Sequence, residues 1–278
     1  RLPPVTAPAL TLASASGAKS SNLAFALGSL PAARRRDAMV FYAFCREIDD
    51  IADEPGRTPE EKHRLLAAWK DGLRGNQPIP DELQDIIARH HLDRELLVQI
   101  VEGVEMDVTP GDFATFTDLR TYCWHVASAV GLVSIRLFGC SDPKSARYAE
   151  DLGYALQITN IIRDVGEDAA LGRIYLPIED TERFGVDRDA LRRGVATGRF
   201  RDLLAFEAAR AREFYAGARQ SLTSQDAKAL VPAETMRAIY SRLLDRMESD
   251  GFRVLETRYR LSKLEKLAIL LTKRIGSL

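Results

Sequence analysis

The sequence predicts an all-α protein built as one domain, and three observations lead there. From Leu30 nearly to the end, apolar residues recur at helical spacing, with no convincing run of two-residue alternation. No regular internal repeat and no linker divides the chain. Of its 278 residues 46% are hydrophobic, ample for a large core. The 39 basic and 40 acidic residues leave a net charge of −1, which argues against an overall basic nucleic-acid binder and against an acidic disordered tail. No window of about 18 residues is apolar and uncharged, so no membrane span is expected. Three unpatterned cysteines, Cys45, Cys123 and Cys140, do not make a disulfide scaffold and fit a reducing compartment.

Residues 1–18 are small, rich in Pro, Ser and Ala, and unperiodic, and are expected to form a loose arm; residues 19–278 form the domain. Pro31 suits a first helical turn, and a helix is expected over 33–53 until Pro55-Gly56 stops it. The next runs from a Thr58 N-cap, with Pro59 at N1 and Glu61 at N3, to Gly75. Helices over 81–90 and 93–108 follow, then a long apolar one over 115–139 and another over 141–168. Gly and Pro break 169–200 into a loop with short helical pieces, after which 200–222, 232–259 and 263–275 complete roughly eight to ten helices.

Two of these helices carry more polar surface than a solvated face needs. Winding residues 36–54 at about 100° per residue puts Phe41, Phe44, Ile48 and Ile51 on a core stripe. Arg36, Glu47, Asp50 and Glu54 form one polar stripe; Tyr42, Arg46, Asp49 and Asp53 form a second. Asp49 and Asp53 lie one turn apart, roughly 6 Å along the axis, a spacing that lets two carboxylates reach one cluster of hard cations. Acidic pairs at this spacing are common by chance, and most are merely solvated. The helix ending near 168 strengthens the case, because Gly153, Gln157, Asn160, Asp164 and Asp168 share one face of an otherwise apolar helix. Buried without partners they would be costly, so they should line a polar cavity. Paired Asp residues on two facing helices form a site for Mg²⁺ bridged by a diphosphate, and Arg46 can clamp phosphate or simply pair with Asp49 or Asp50.

Other chemistry is absent or weak. His63, His90, His91 and His125 form no zinc motif, and His90-His91 reads as a helix-end cap. No nucleophile elbow, P-loop or dinucleotide fingerprint occurs.

With these residues placed, the chain resembles the squalene/phytoene synthase family. The resemblance rests on YAFCREIDDIADEPG (42–56) and LGYALQITNIIRDVGEDAALGRIYLP (152–177), supported by YCWHVASAVG (122–131), EGVEMD (102–107) and RYRLSK (258–263), and spans about residues 20–272 in order. It implies a single-domain isoprenoid synthase helical bundle around a central apolar cavity. It implies that Asp49, Asp53, Asp164 and Asp168, with Asn160, hold two or three Mg²⁺ ions. By the same resemblance Arg46, Gln157, Asn160 and Arg258 contact diphosphate, Tyr42, Tyr122 and Tyr240 serve the cavity, and Ser20 belongs to a flap over a diphosphate. Leu23 stands where many relatives carry an aromatic residue.

The implied reaction is the head-to-head condensation of two farnesyl diphosphates to presqualene diphosphate, with Mg²⁺ assisting diphosphate release; CREIDDIADEPG, EGVEMDV and VASAVGL are similar to the bacterial branch that serves hopanoid synthesis. NADPH is needed only if the reaction continues to squalene. Tyr122 or the released diphosphate takes the proton. Phytoene synthesis from geranylgeranyl diphosphate is the alternative within the family, and a non-catalytic helical assembly factor is the alternative outside catalysis. The expected partner is a prenyl diphosphate, not nucleic acid, and the expected location is the cytoplasm. LEKLAILL (264–271) either touches a membrane surface or packs on the core. Oligomeric state is not legible.

Overall fold

The computed structural model describes residues 10–12 and 21–275, so Ser20 and most of the arm over 1–18 lie outside the described residues. A short helix the periodicity does not announce comes first: α1 (Asn22–Leu27), whose Ser21 cap accepts the Ala24 N–H at 3.0 Å. The expected helices then appear as α2 (Ala32–Asp53), α3 (Pro59–Leu73), α4 (Asp81–His90) and α5 (Arg94–Met106). Thr58 and Glu61 form the expected reciprocal cap of α3. His91 closes α4 in the left-handed conformation, while His90 Nε2 lies 2.7 Å from Asp37. Leu10 and Leu12 pack on the core beside α3.

The stretch expected as one helix over 115–139 is instead α6 (Phe116–Cys123), a π turn at Trp124–Ser128 and α7 (Ala129–Phe138). The widened turn sits between two glycines on neighbouring helices. A Cβ on Gly103 would lie 2.6 Å from His125 Cβ, and one on Gly153 would lie 2.5 Å from Ser128 Cα. Gly153 therefore serves close helix packing and also stands in the cavity lining beside Gln157 and Asn160, as its place on that face predicts.

Next comes α8 (Lys144–Ala170), then the two short pieces α9 (Ile178–Arg183) and α10 (Arg188–Arg192), then α11 (Phe200–Ser221), α12 (Val231–Ser249) and α13 (Lys263–Ile275). The helix expected over 232–259 stops ten residues early. Gly251 (φ +68°) and Phe252 (φ +54°) turn the backbone left-handed, and Phe252 N–H bonds back to the Met247 carbonyl at 2.7 Å. The released segment runs back over Gly166 of α8, where a Cβ would lie 2.9 Å from the Val254 carbonyl oxygen.

Helix α8 packs along α11 and crosses α7 and the π turn. Two apolar clusters result, one around α8, α11 and α12, the other among α2 to α5 and α7. Phe41, Phe44, Ile48 and Ile51 of α2 are all buried in the second, as their spacing predicts. No strand occurs among the described residues, and no helix there is long and apolar enough to cross a membrane. All three cysteines are free thiols.

Candidate active site

Where the two clusters meet, a cavity of about 450 Å³ opens, within the range that accommodates small-molecule ligands. Tyr42, Arg46 and Asp49 of α2 form one wall; Gln157 and Asn160 of α8 form the opposite one. Tyr240 and Met236 of α12 and Leu23 of α1 contribute as well, and the depth is apolar, walled by Val130, Ile135, Phe138, Leu152 and Leu156. A second lobe of about 190 Å³ extends between α2, α5 and α7 and shares Tyr42, Arg46, Asp49 and Phe138 with the first.

Asp53 lies one helical turn beyond Asp49, and Asp164 and Asp168 lie one and two turns beyond Asn160, so both ridges project past the polar end of the cavity. Arg46 lines the cavity while pairing with Asp50 at 2.5 Å and standing 4.0 Å from Asp49. Asp164 takes a two-pronged bond from Arg163 (2.8 and 2.6 Å). The loop after α12 brings Arg258 to 3.0 Å from Glu167 and 3.9 Å from Asp164. The Arg163 guanidinium carbon lies 5.9 Å from the ring centre of Tyr240.

Between the ridges stands Asp107, at the C-terminal cap of α5. Its carboxylate accepts hydrogen bonds from Tyr122 Oη (2.9 Å) and Tyr175 Oη (2.7 Å), whose rings stack with centres 5.3 Å apart. Arg173 donates to the Asp107 backbone carbonyl at 3.3 Å and stands 3.7 Å from Asp53. Tyr122 is buried, with its hydroxyl turned to Asp107 between the two ridges.

The acids repel one another across this space. Burial pushes Asp49 up to about 7, with Asp53, Asp107 and Asp50 adding to the rise and Arg46 opposing it. The Asp49 side chain keeps 46% of its surface accessible, but that surface faces the cleft. Burial also lifts Asp168 to about 7, helped by Asp164 and Asp107 and opposed by Arg173. Asp107 is raised by burial despite its two tyrosine donors. Both ridges therefore sense the same central carboxylate. Burial, with Asp107 next, pushes Tyr122 well above the usual phenol range.

The residues fit a hard divalent cation. Asn160 Oδ1 is buried with no hydrogen-bond partner, and the carboxylates are crowded in a way that countercharge relieves. Among the described residues no three metal-ligating side chains converge on one point. An ion here would complete its shell with phosphate oxygens and water, as Mg²⁺ characteristically does.

Sequence spacing alone overlooked Asp107, Arg163, Arg173 and Tyr175. All four fall in the motif stretches EGVEMD and LGYALQITNIIRDVGEDAALGRIYLP. Three of them sit off the two acidic helical faces, at a helix cap or in the segment after α8, where a helical wheel does not reach.

Comparison with known proteins identifies the family. The squalene/phytoene synthase family model matches residues 17–265. A presqualene diphosphate synthase of Zymomonas mobilis is 35% identical over 95% of this chain and 93% of its own. A 15-cis-phytoene synthase of Synechococcus elongatus is 34% identical over 84% of this chain and 82% of its own. A ligand-bound dehydrosqualene synthase superposes with a TM-score of 0.81 at 26% identity, covering 94% and 93% of the two chains. A squalene synthase from Alicyclobacillus acidocaldarius gives 0.70 at 29% identity over 82% and 98%. The chain belongs to the squalene/phytoene synthase family of prenyltransferases, which condense prenyl diphosphates head to head.

Proposed function

We propose that this enzyme joins two farnesyl diphosphates into presqualene diphosphate. The observation that carries the reading is an apolar cavity in two lobes whose polar end is walled by Arg46 and Asp49 of α2 and by Gln157 and Asn160 of α8, with Asp53, Asp164 and Asp168 one or two helical turns beyond. The fifteen-carbon substrate is favoured by the extent of the likeness, since the presqualene diphosphate synthase aligns over 95% of this chain and the phytoene synthase over 84%.

In this reading each substrate lays its tail in one lobe. Asp49, Asp53, Asn160, Asp164 and Asp168 would hold the divalent ions, which neutralise charge on the departing diphosphate. Arg46, freed from Asp50, would clamp phosphate oxygens together with Gln157 and Arg258, and Arg163 stands beside them. The bond from the donor's first carbon to diphosphate oxygen breaks, leaving an allylic cation. The acceptor's double bond attacks that carbon, and loss of a proton closes the cyclopropane. Released diphosphate takes this proton. Tyr122 is the alternative acceptor, since it could pass its own proton on to Asp107, to which it donates at 2.9 Å. The apolar walls keep water from the cation.

The test is product analysis by mass after incubation with farnesyl or geranylgeranyl diphosphate and Mg²⁺, with and without NADPH. Presqualene diphosphate from farnesyl diphosphate without reductant is expected, and squalene on adding NADPH would extend the assignment. Phytoene from geranylgeranyl diphosphate, with farnesyl diphosphate untouched, would overturn the substrate assignment, and consumption of neither would overturn the catalytic one.

A further inference from the structure

Helix α13 is mounted with its polar side inward. Glu265 pairs with Arg246 of α12 at 2.6 Å, and Lys273 pairs with Glu234 of α12 at 3.2 Å. Lys266 is half-buried, and among the described residues Ile269 and Leu270 bring apolar contact to that side. On the outer side Leu264, Leu267 and Leu271 are 79%, 45% and 49% exposed, with Ala268 exposed among them. Spacings of three and four residues align them in one stripe. Among the described residues these are three of six exposed large apolar side chains; the others, Met106, Leu171 and Val195, are far apart in the chain.

Charge narrows what can cover the stripe. Residues 258–275 carry six basic residues against one acid, Glu265, in a chain whose net charge is −1; Arg258 turns to the acidic site and Lys273 to Glu234, while among the described residues Arg260 and Lys263 remain free of such pairing. Arg260 and Lys263 are exposed beside the stripe. Three leucines can bury only on the order of a few hundred Å². A stable interface between two protein copies removes roughly 1,200–2,000 Å². A lipid surface sets no such threshold, and an apolar stripe beside cations is the pattern of a helix lying in a bilayer interface.

We propose that α13 lies in the surface of an anionic phospholipid bilayer, with Leu264, Leu267 and Leu271 among the acyl chains and Arg260 and Lys263 at the phosphates. The helix behind it, α12, supplies Ala233, Met236 and Tyr240 to the cavity. Glu234, which holds Lys273, also accepts a bond from the cavity-wall residue Tyr148 at 2.9 Å. The lipid contact therefore stands one helix away from the apolar cavity. This inference concerns a surface outside the acidic site and stands independently of the substrate assignment.

Vesicle flotation of the whole chain tests it, using phosphatidylcholine vesicles with about a quarter phosphatidylglycerol, against pure phosphatidylcholine. The parent is expected to float with the anionic vesicles at low salt. At least tenfold less should float with neutral vesicles or at about 0.5 M salt, where charges are screened within a few ångströms. Leu264→Glu, Leu267→Glu and Leu271→Glu together should lower flotation at least tenfold with unchanged helix content. If the triple variant fails to fold, Leu264→Glu alone, at the most exposed of the three, should still lower it severalfold. The proposal is overturned if the parent stays in the aqueous layer with anionic vesicles, or if the folded variant floats as well as the parent. It is also overturned if sedimentation shows a parent dimer that the substitutions dissolve while vesicles bind neither protein.

Discussion

Replacing Asp168 with Asn should stabilise the metal-free protein while disabling it. Among the described residues the Asp168 carboxylate accepts no side-chain hydrogen bond, and burial with the charges of Asp164 and Asp107 lifts it from 3.8 to about 7. A shift of roughly three units corresponds to about 4 kcal/mol at about 1.4 kcal/mol per unit. The group is half-buried at a wet cleft, so screening should leave about 1–2 kcal/mol of that strain. The sign follows from linkage: the folded state holds this proton more tightly than the unfolded chain. The penalty is therefore absent below about pH 4, grows as pH rises, and is complete above about 7. Urea unfolding in a chelator at pH 8 should show the variant more stable than the parent, with the gap shrinking towards pH 4. Diphosphate release from farnesyl diphosphate should fall by at least about a hundredfold. A variant less stable than the parent at pH 8, or one with ordinary turnover, would refute the account of a charge-strained functional carboxylate.

Asp164→Asn should behave oppositely in stability, because it strips the fork of Arg163 of its charged partner; a loss of about 1–3 kcal/mol in the same unfolding assay is expected, together with loss of turnover and unchanged helicity. Glu207, buried beside Asp180 and held by Arg210, is pushed up to about 7 by burial, so the parent should lose thermal stability as pH rises from about 4.5 to about 7; Glu207→Gln should flatten that slope in melting curves followed by circular dichroism. Gly153→Ala should lower the melting temperature and cost about 1–3 kcal/mol, since the new methyl would meet the Ser128 backbone at 2.5 Å; an unchanged melt would mean α8 and the π turn part easily.

The helical framework was legible because each long helix buries one stripe at a fixed angular interval, as Phe41, Phe44, Ile48 and Ile51 do. The acidic ridges were legible for the same reason, Asp49 and Asp53 occupying a second polar stripe on a helix that needs only one. Features made by contact between distant segments were not. The π turn at Trp124–Ser128 is accompanied by Gly103 and Gly153 on other helices, whose packing no local pattern records. The left-handed Phe252 interrupts an apolar period that continues past it. Asp107 reads as an ordinary helix-end acid until Tyr122 and Tyr175, 15 and 68 positions away, are seen to donate to it. α1, at six residues, is too short to display a period.

The reversal at Gly251 makes the short loop between α12 and α13 a measured tether. One end is pinned where Tyr259 Oη reaches Asp250 at 2.5 Å, and its middle rests against Gly166. Arg258 is thereby delivered to the second acidic ridge by loop length rather than by helix register. Adding or deleting a single residue there would swing the guanidinium away from Asp164 and Glu167 yet leave every helix in the bundle seated, so the proposed diphosphate contact and the core can vary separately.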